Sequence, residues 1–344
     1  FGAHTGVSFL DVSTGEFLTA QGSTAYVSKL LQNFRPSEVL IEKQKRQQFS
    51  TAFGDNFNTF YLQDWVFKQD YTHESLCQHF KTKSLKGFGV DGLPNGLVAA
   101  GATLHYLGET QHHKLQHITS IQRLLEADFV WMDKFTIRNL ELYHSNNTNA
   151  VTLIQVIDKT LSPMGGRLLK RWLALPLKSV AAIKARHDVV QYFYDNETAL
   201  MEIQSSLKGI GDLERLISKV ATAKVSPREV VQLKNSLAQI LPIKALALDC
   251  DHLHLNALGK QIQDCEALRF KIKATLNEDA PVNILKGHTI ASSANEELAA
   301  LRAIAFSGKD YLDGMLSRES EATGIPSLKI ASNNVFGYYI EVRN

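Results

Sequence analysis

The sequence predicts a multidomain chain, α/β at its start and all-α through its middle, closing on a β-hairpin. Three observations carry that reading. Strand-like and helix-like segments alternate over residues 1–70. Beyond residue 70, apolar residues recur at three- and four-residue spacing. Convincing strand pattern returns only at residue 327. A length of 344 residues suits two or three such domains.

The first elements follow in order. Gly6 to Val12 reads as a strand and Glu16 to Ala20 as its antiparallel partner. Ser13-Thr14-Gly15 supplies the turn, with Gly15 free to take positive φ. Ser23 can cap a helix whose apolar positions are Tyr26, Val27, Leu30, Leu31 and Phe34, and Pro36 ends it. Ser37 to Glu42 is a short strand, Lys43 to Phe53 a helix, and Thr59 to Leu62 another strand. Leu97, Ala100, Leu104 and Leu107 mark a helix from Asn95 to about Gln111.

The later helices carry clear start signals. Asp133 caps Lys134 to Leu142, and Pro163 opens a helix bearing Leu168, Leu169, Trp172 and Leu173. That spacing predicts a buried Trp172. Ile183, His187, Val190 and Tyr194 form one further helical face, and Leu213, Leu216, Ile217 and Val220 another. Ser226-Pro227-Arg228-Glu229 is a capping-box start with proline at the first helical position. From 295 to 322 a stripe of Leu298, Leu301, Ile304, Ala305, Gly308, Tyr311, Leu312, Met315 and Leu316 predicts one long, packed helix. At 1.5 Å per residue it would reach roughly 42 Å, the length of an arm. Gly324 and Pro326 end it, and a hairpin around Asn333-Asn334 follows.

Composition narrows the function classes. Hydrophobic residues are 44%, which rules out a wholly disordered chain. The mean hydropathy is −0.13, and no run of about 18 apolar residues is present to span a membrane. Net charge is +2, with +1 in residues 1–124 (11 basic, 10 acidic) and +1 in the remainder, so any nucleic-acid contact has to come from a local patch or a further segment. The three cysteines, Cys77, Cys250 and Cys265, form no CxxC pair and point to a reducing compartment. The chain starts at Phe1 and stops inside a strand-like run, Tyr338 to Asn344, so a longer parent protein is expected.

Few motifs carry chemistry. Gly87-Phe88-Gly89-Val90-Asp91-Gly92 matches GxGxxG, but Lys81 to Lys86 before it is no buried strand, so a plain loop is expected. No GxxxxGK[ST], GxSxG or HExxH occurs. Asp11 shares a strand face with Val7 and Phe9, where an RNase H-like nuclease carries its first metal-binding carboxylate. Glu42, Asp55 and Asp64 are possible companions, and the competing use of Asp11 is to bond turn N–H groups. Cys250, Asp251, His252 and His254 form a soft-ligand cluster without a second pair, better read as an inter-helix turn. His105, His112, His113 and His117 crowd together without a defined task. Arg167, Lys170 and Arg171, beside Trp172, could touch phosphate or form surface salt bridges.

Several segments together resemble the MutS family of DNA mismatch repair proteins. Gly6 to Phe17 is similar to the opening hairpin of that family's connector domain, and Thr136-Ile137-Arg138-Asn139-Leu140-Glu141-Leu142 to the start of its core. Leu161 to Leu173 with Pro176-Leu177 resembles the core's most recognisable motif. Asp212 to Leu216, Ser226 to Glu229, and Ser327 to Ile330 with Val335 to Val342 continue the likeness in order. The stretch 277–294, with Lys286 to Ile290, departs from the family pattern.

The resemblance implies four parts: an RNase H-like connector (1–124), a helical core (125–294), a lever helix (295–326) and the start of a clamp domain (327–344). It implies a non-catalytic fragment with no cofactor of its own, in a cytoplasmic protein whose full-length form is an ATPase using ATP and magnesium. Implied partners are double-stranded DNA, a MutL-type repair protein and, in the full-length form, a second copy. The mismatch-reading domain would precede Phe1 and the ATPase domain would follow Asn344, so no DNA, ATP or magnesium residue is carried over. Two alternatives stay open: a metal-dependent nuclease with a helical appendage, and a homologue acting on recombination junctions.

Overall fold

A computed structural model describes residues 1, 4–110, 115–145, 147, 149–333, 335 and 337–342, with the side chains of all of these except 134 and 304–309. These residues divide into two compact units, Phe1–Glu266 and Ala267–Asn344.

The first unit begins with the expected hairpin, β1 (Thr5–Asp11) and β2 (Glu16–Gly22), in register from Thr5 opposite Gly22 to Asp11 opposite Glu16. The Asp11 carbonyl accepts from the N–H groups of Thr14 and Gly15, closing the turn. Gly15 takes φ 77°, and a Cβ there would stand 2.7 Å from the His117 carbonyl oxygen, so only glycine fits. Ser23 caps α1 (Thr24–Phe34) by accepting from the Tyr26 N–H. Then come β3 (Val39–Glu42), α2 (Arg46–Phe53), β4 (Thr59–Leu62), α3 (Gln69–His79), α4 (Pro94–Thr110) and the two-residue β5 (Gln122–Arg123). The strands make two small sheets: β1-β2-β5, with β5 parallel to β2, and the parallel pair β3-β4. A cavity of about 470 Å³ lies between β1 and β3.

Helix α4 is the keel of this region. Its Leu97, Ala100, Leu104 and Leu107 are buried with Phe17, Leu76, Ile118 and Ile121. Each of the leucines, isoleucines and Phe17 taken from water contributes roughly 1.5–3 kcal/mol. Gly101 lets α4 approach α3, because a Cβ there would meet the Thr72 Cβ at 2.3 Å.

The helical region follows: α5 (Lys134–Asn139), α6 (Leu153–Ile157), α7 (Pro163–Ala174), α8 (Val180–Asp195), α9 (Glu197–Lys208), α10 (Leu213–Ala221), α11 (Pro227–Asp249) and α12 (Leu253–Gln261). Local signals set their starts. Asp133 accepts from the Thr136 N–H at 2.7 Å, and Ser226 and Glu229 form the reciprocal capping box of α11. Helix α11 continues through Pro242. Leu216, Val231, Leu233, Ala247 and Leu255 are buried here.

In the second unit, α13 (Glu266–Thr275) leads to a loop in which the Asn277 side chain donates to the carbonyls of His288 and Ile290. Helix α14 (Glu296–Thr323) follows, capped by Asn295 and closed by Gly324 at φ 68°. Strands β6 (Leu328–Asn333) and β7 (Gly337–Val342) pair antiparallel. Two expectations touch residues outside the description, Asn334 in the final turn and the His112-His113 pair. A third is corrected in part: among the stripe residues whose side chains are described, Leu301 is 58% and Tyr311 65% exposed, while Leu298, Leu312, Met315 and Leu316 are half-buried, and the side chains at 304, 305 and 308 lie outside the description. Periodicity defines a face and leaves open whether anything covers it.

Candidate functional site

The site with the most structure around it lies in the first unit, where the β1–β2 turn meets α7 and α10. Ser162 accepts from the Gly165 N–H and Pro163 occupies the first turn, so α7 starts at a fixed place. One turn on, Arg167 projects toward the N-terminus of α10. Its Nη1 and Nη2 donate to the two Asp212 carboxylate oxygens at 2.8 and 2.7 Å, and Nε and Nη2 to Glu214 at 3.2 and 2.5 Å. Asp212 also caps α10 through the Arg215 N–H. This fork-to-carboxylate geometry holds Asp212 below the usual carboxylate range, chiefly through the Arg167 hydrogen bonds, and pushes Arg167 further up.

The next turn of α7 reaches the hairpin. Arg171 forms an ion pair with Glu16, the first residue of β2. Ser218 of α10 donates to the Val12 carbonyl at 3.2 Å, and the same oxygen accepts from His117 Nε2 at 2.8 Å. The Tyr143 hydroxyl donates to the Lys170 carbonyl at 2.7 Å, and burial pushes its pKa up to about 12. The chain between the two regions is tied at both sides. The Tyr26 hydroxyl donates to the Leu124 carbonyl, Phe129 bridges Leu177, and the N–H groups of Val130 and Lys178 donate to Pro176 and Asp128. A cleft of about 900 Å³ runs along this seam.

The structure assigns the other candidate residues to local work. Asp11 Oδ1 accepts from the Ser13 N–H and hydroxyl at 2.8 and 2.7 Å, which is the turn-bonding use. Asp55 accepts from Ser50, and Asp64 from the Gln44 N–H. No group of three His, Cys, Asp or Glu able to hold a metal ion occurs among the described residues. Gly87 and Phe88 lie in a short 3-10 turn, Lys86–Phe88, that Gly89 ends at φ 68°, and the element before it is helix α3, not a strand. His252 caps α12 through the Leu255 N–H, and the Cys250 thiol donates to the Ala247 carbonyl. His105 Nδ1 lies 2.7 Å from the Tyr71 hydroxyl, and His117 bonds the Val12 carbonyl.

Trp172 corrects the expectation of a buried aromatic. It is 40% exposed, its neighbour Leu168 is 42% exposed, and the Arg186 guanidinium lies 3.5 Å from the ring centroid. The Leu168–Trp172 face of α7 points outward. The charged residues of α7 were visible in the sequence, but their partners Glu16, Asp212 and Glu214 were not, because nothing local links positions so far apart. Ser218 and Val12 carry no sequence signal at all.

Comparison with known proteins decides the family. A model of MutS domain III matches residues 135–324, and one of MutS domain II matches residues 1–119. The chain belongs to the MutS family. It is 63% identical over 339 residues to a DNA mismatch repair protein MutS of Flavobacterium johnsoniae, covering 98% of this chain and 39% of that protein. It is 54% identical over 342 residues to the MutS of Bacteroides thetaiotaomicron, covering 99% and 40%. The chain thus spans about two-fifths of the length of these curated MutS relatives. The seam joins the MutS domain II match to the MutS domain III match. No helix among the described residues is long and apolar enough to cross a membrane.

Proposed function

We propose that this chain serves, inside a larger MutS-type protein, as the non-catalytic connection between DNA-holding, mismatch-reading parts and an ATP-hydrolysing part. The observation that carries the proposal is the seam, which makes residues 1–266 one compact unit across the two family domains. Coupling between distant sites needs elements that move as bodies. Helix α14, 28 residues long, fits the role of a lever that would carry such motion onward.

The finer anatomy is part of the same proposal: an RNase H-like connector over 1–124, a core over 125–294, a lever over 295–326 and the start of a clamp over 327–344. An antiparallel hairpin followed by a parallel pair with intervening helices supports the connector reading. The larger protein would act as a dimer on double-stranded mismatched DNA and use ATP with magnesium. The residues of this chain do not fit that nucleotide site: the sequence has no P-loop, and no metal-binding cluster occurs among the described residues. A MutL-type partner would dock on the connector, where Lys43, Gln44, Arg46, Gln47 and Gln48 are exposed beside buried Phe49.

The test is replacement. The corresponding segment of the Flavobacterium johnsoniae protein is exchanged for this chain, and the mutation rate of a strain lacking its own MutS is measured. Restoration of a low rate is expected. A persistent mutator phenotype, with the chimera expressed and folded, would overturn the proposal.

A further inference from the structure

We propose that Tyr71, with Trp65 as its electron relay and His105 as its proton acceptor, is a one-electron redox site that quenches oxidising radicals, a role independent of the mismatch-repair reading. The site stands where a turn and two helices meet. Trp65 lies in the 3-10 turn Asp64–Phe67, Tyr71 near the start of α3, and His105 and Glu109 one turn apart on α4. The Trp65 ring centroid is 5.0 Å from that of Tyr71 and 5.1 Å from that of His105, with the rings inclined at 70° and 76°. The Tyr71 hydroxyl is 2.7 Å from His105 Nδ1, and His105 Nε2 is 3.6 Å from Glu109 Oε1.

Each part has the exposure its task needs. Trp65 is 47% exposed, so a radical in solution reaches the indole. Tyr71 is half-buried in contact with it, and the His105 side chain is 13% exposed. Burial, and then the Glu109 charge, push the Tyr71 hydroxyl pKa up, so the phenol holds its proton until it is oxidised. The phenol therefore donates and Nδ1 accepts, which puts the imidazole proton on Nε2, facing Glu109.

The arrangement selects one-electron chemistry. A phenol that loses an electron becomes a strong acid, so the loss is easy only where a base within hydrogen-bond reach takes the proton. Neighbouring aromatic groups show the contrast. Tyr26 also lies 5.0 Å from a tryptophan, Trp131, but its hydroxyl donates to the Leu124 carbonyl, which holds no proton. Tyr106 donates to the Glu38 carboxylate, a weaker base than an imidazole, and its ring partner is Phe60, which has no easily removed electron. Trp172 carries the Arg186 guanidinium over its ring, and that charge opposes loss of an electron. At the proposed site, an oxidising radical takes one electron from the Trp65 indole and is reduced to its anion. The Trp65 radical cation takes one electron from Tyr71. The phenolic proton passes to His105 Nδ1, leaving a neutral phenoxyl radical and an imidazolium beside Glu109. A thiolate reductant then returns one electron and becomes a thiyl radical, and the proton moves back from Nδ1 to the phenolic oxygen.

Pulse radiolysis of the 344-residue chain with azide radicals, which oxidise indole in preference to phenol, tests this by transient absorption. Indolyl absorption should decay as phenoxyl absorption grows at the same rate. Tyr71→Phe and Trp65→Phe should each remove most of that growth, and Tyr26→Phe should leave it intact. His105→Gln keeps an acceptor for the hydroxyl but takes no proton, so it should slow the growth by about tenfold or more. Thermal unfolding checks that each variant is folded. No phenoxyl growth in the wild-type chain, growth at the wild-type rate in Tyr71→Phe or His105→Gln, or its loss in folded Tyr26→Phe would each overturn the proposal.

Discussion

Arg167 is where a single side chain does most for the helical region. Its bidentate hold on Asp212 and Glu214 joins the starts of α7 and α10. Arg167→Met leaves Asp212, 18% exposed at its side chain, without its main donor, and should cost about 2 kcal/mol in urea unfolding. Arg167→Lys should recover only part, since an ammonium cannot reproduce the planar fork. Acid titration tests a neighbour. Glu229 is held down to about 2 from an ordinary 4.5, first by the Lys219 hydrogen bond and then by Ser226. A depressed folded-state pKa stabilises above the unfolded value and is lost as pH falls through the folded one. Wild type should therefore lose stability between pH 4.5 and about 2, and Glu229→Gln should flatten that limb of the pH curve. Trp172→Ala should cost about 1–2 kcal/mol, below the roughly 3–5 of a fully buried aromatic, because half its surface and one guanidinium contact are at stake. The denaturant midpoint decides between those ranges.

At the scale of elements, close approach of backbones governs. Gly101→Ala places a methyl group 2.3 Å from the Thr72 Cβ, so α3 and α4 must separate or the backbone must shift. A loss of about 2–3 kcal/mol is expected, read by thermal unfolding, with no compensation from the higher helix propensity of alanine. The element scale is also where the sequence was most legible. The hairpin, the Ser23 cap, the Ser226–Glu229 box and the start of α14 at Asn295 are all written within a few residues of where they act. Strand β5 escaped notice because two residues carry no periodicity. The outward face of α7 escaped because the 3.6-residue repeat of Leu168 and Trp172 is the same whether a helix face is covered or bare. The partners across the seam escaped because Glu16–Arg171 and Val12–Ser218 link residues far apart in the chain.

For the whole molecule, the central claim is that the α/β region and the helical region of residues 1–266 behave as one body. Its individual seam contacts are modest, since half-exposed ion pairs such as Arg171–Glu16 contribute little alone. The claim rests on their combination with the paired backbone at Phe129–Leu177 and the buried Tyr26–Leu124 bond. Native-state hydrogen exchange across a series of low denaturant concentrations reads this directly, because segments that open together share one opening free energy. The amides of β1 and β2 and those of α10 should converge on one opening event, and Ser218→Ala with Arg171→Ala should split it in two. Two separate openings already present in the wild-type chain would contradict the account.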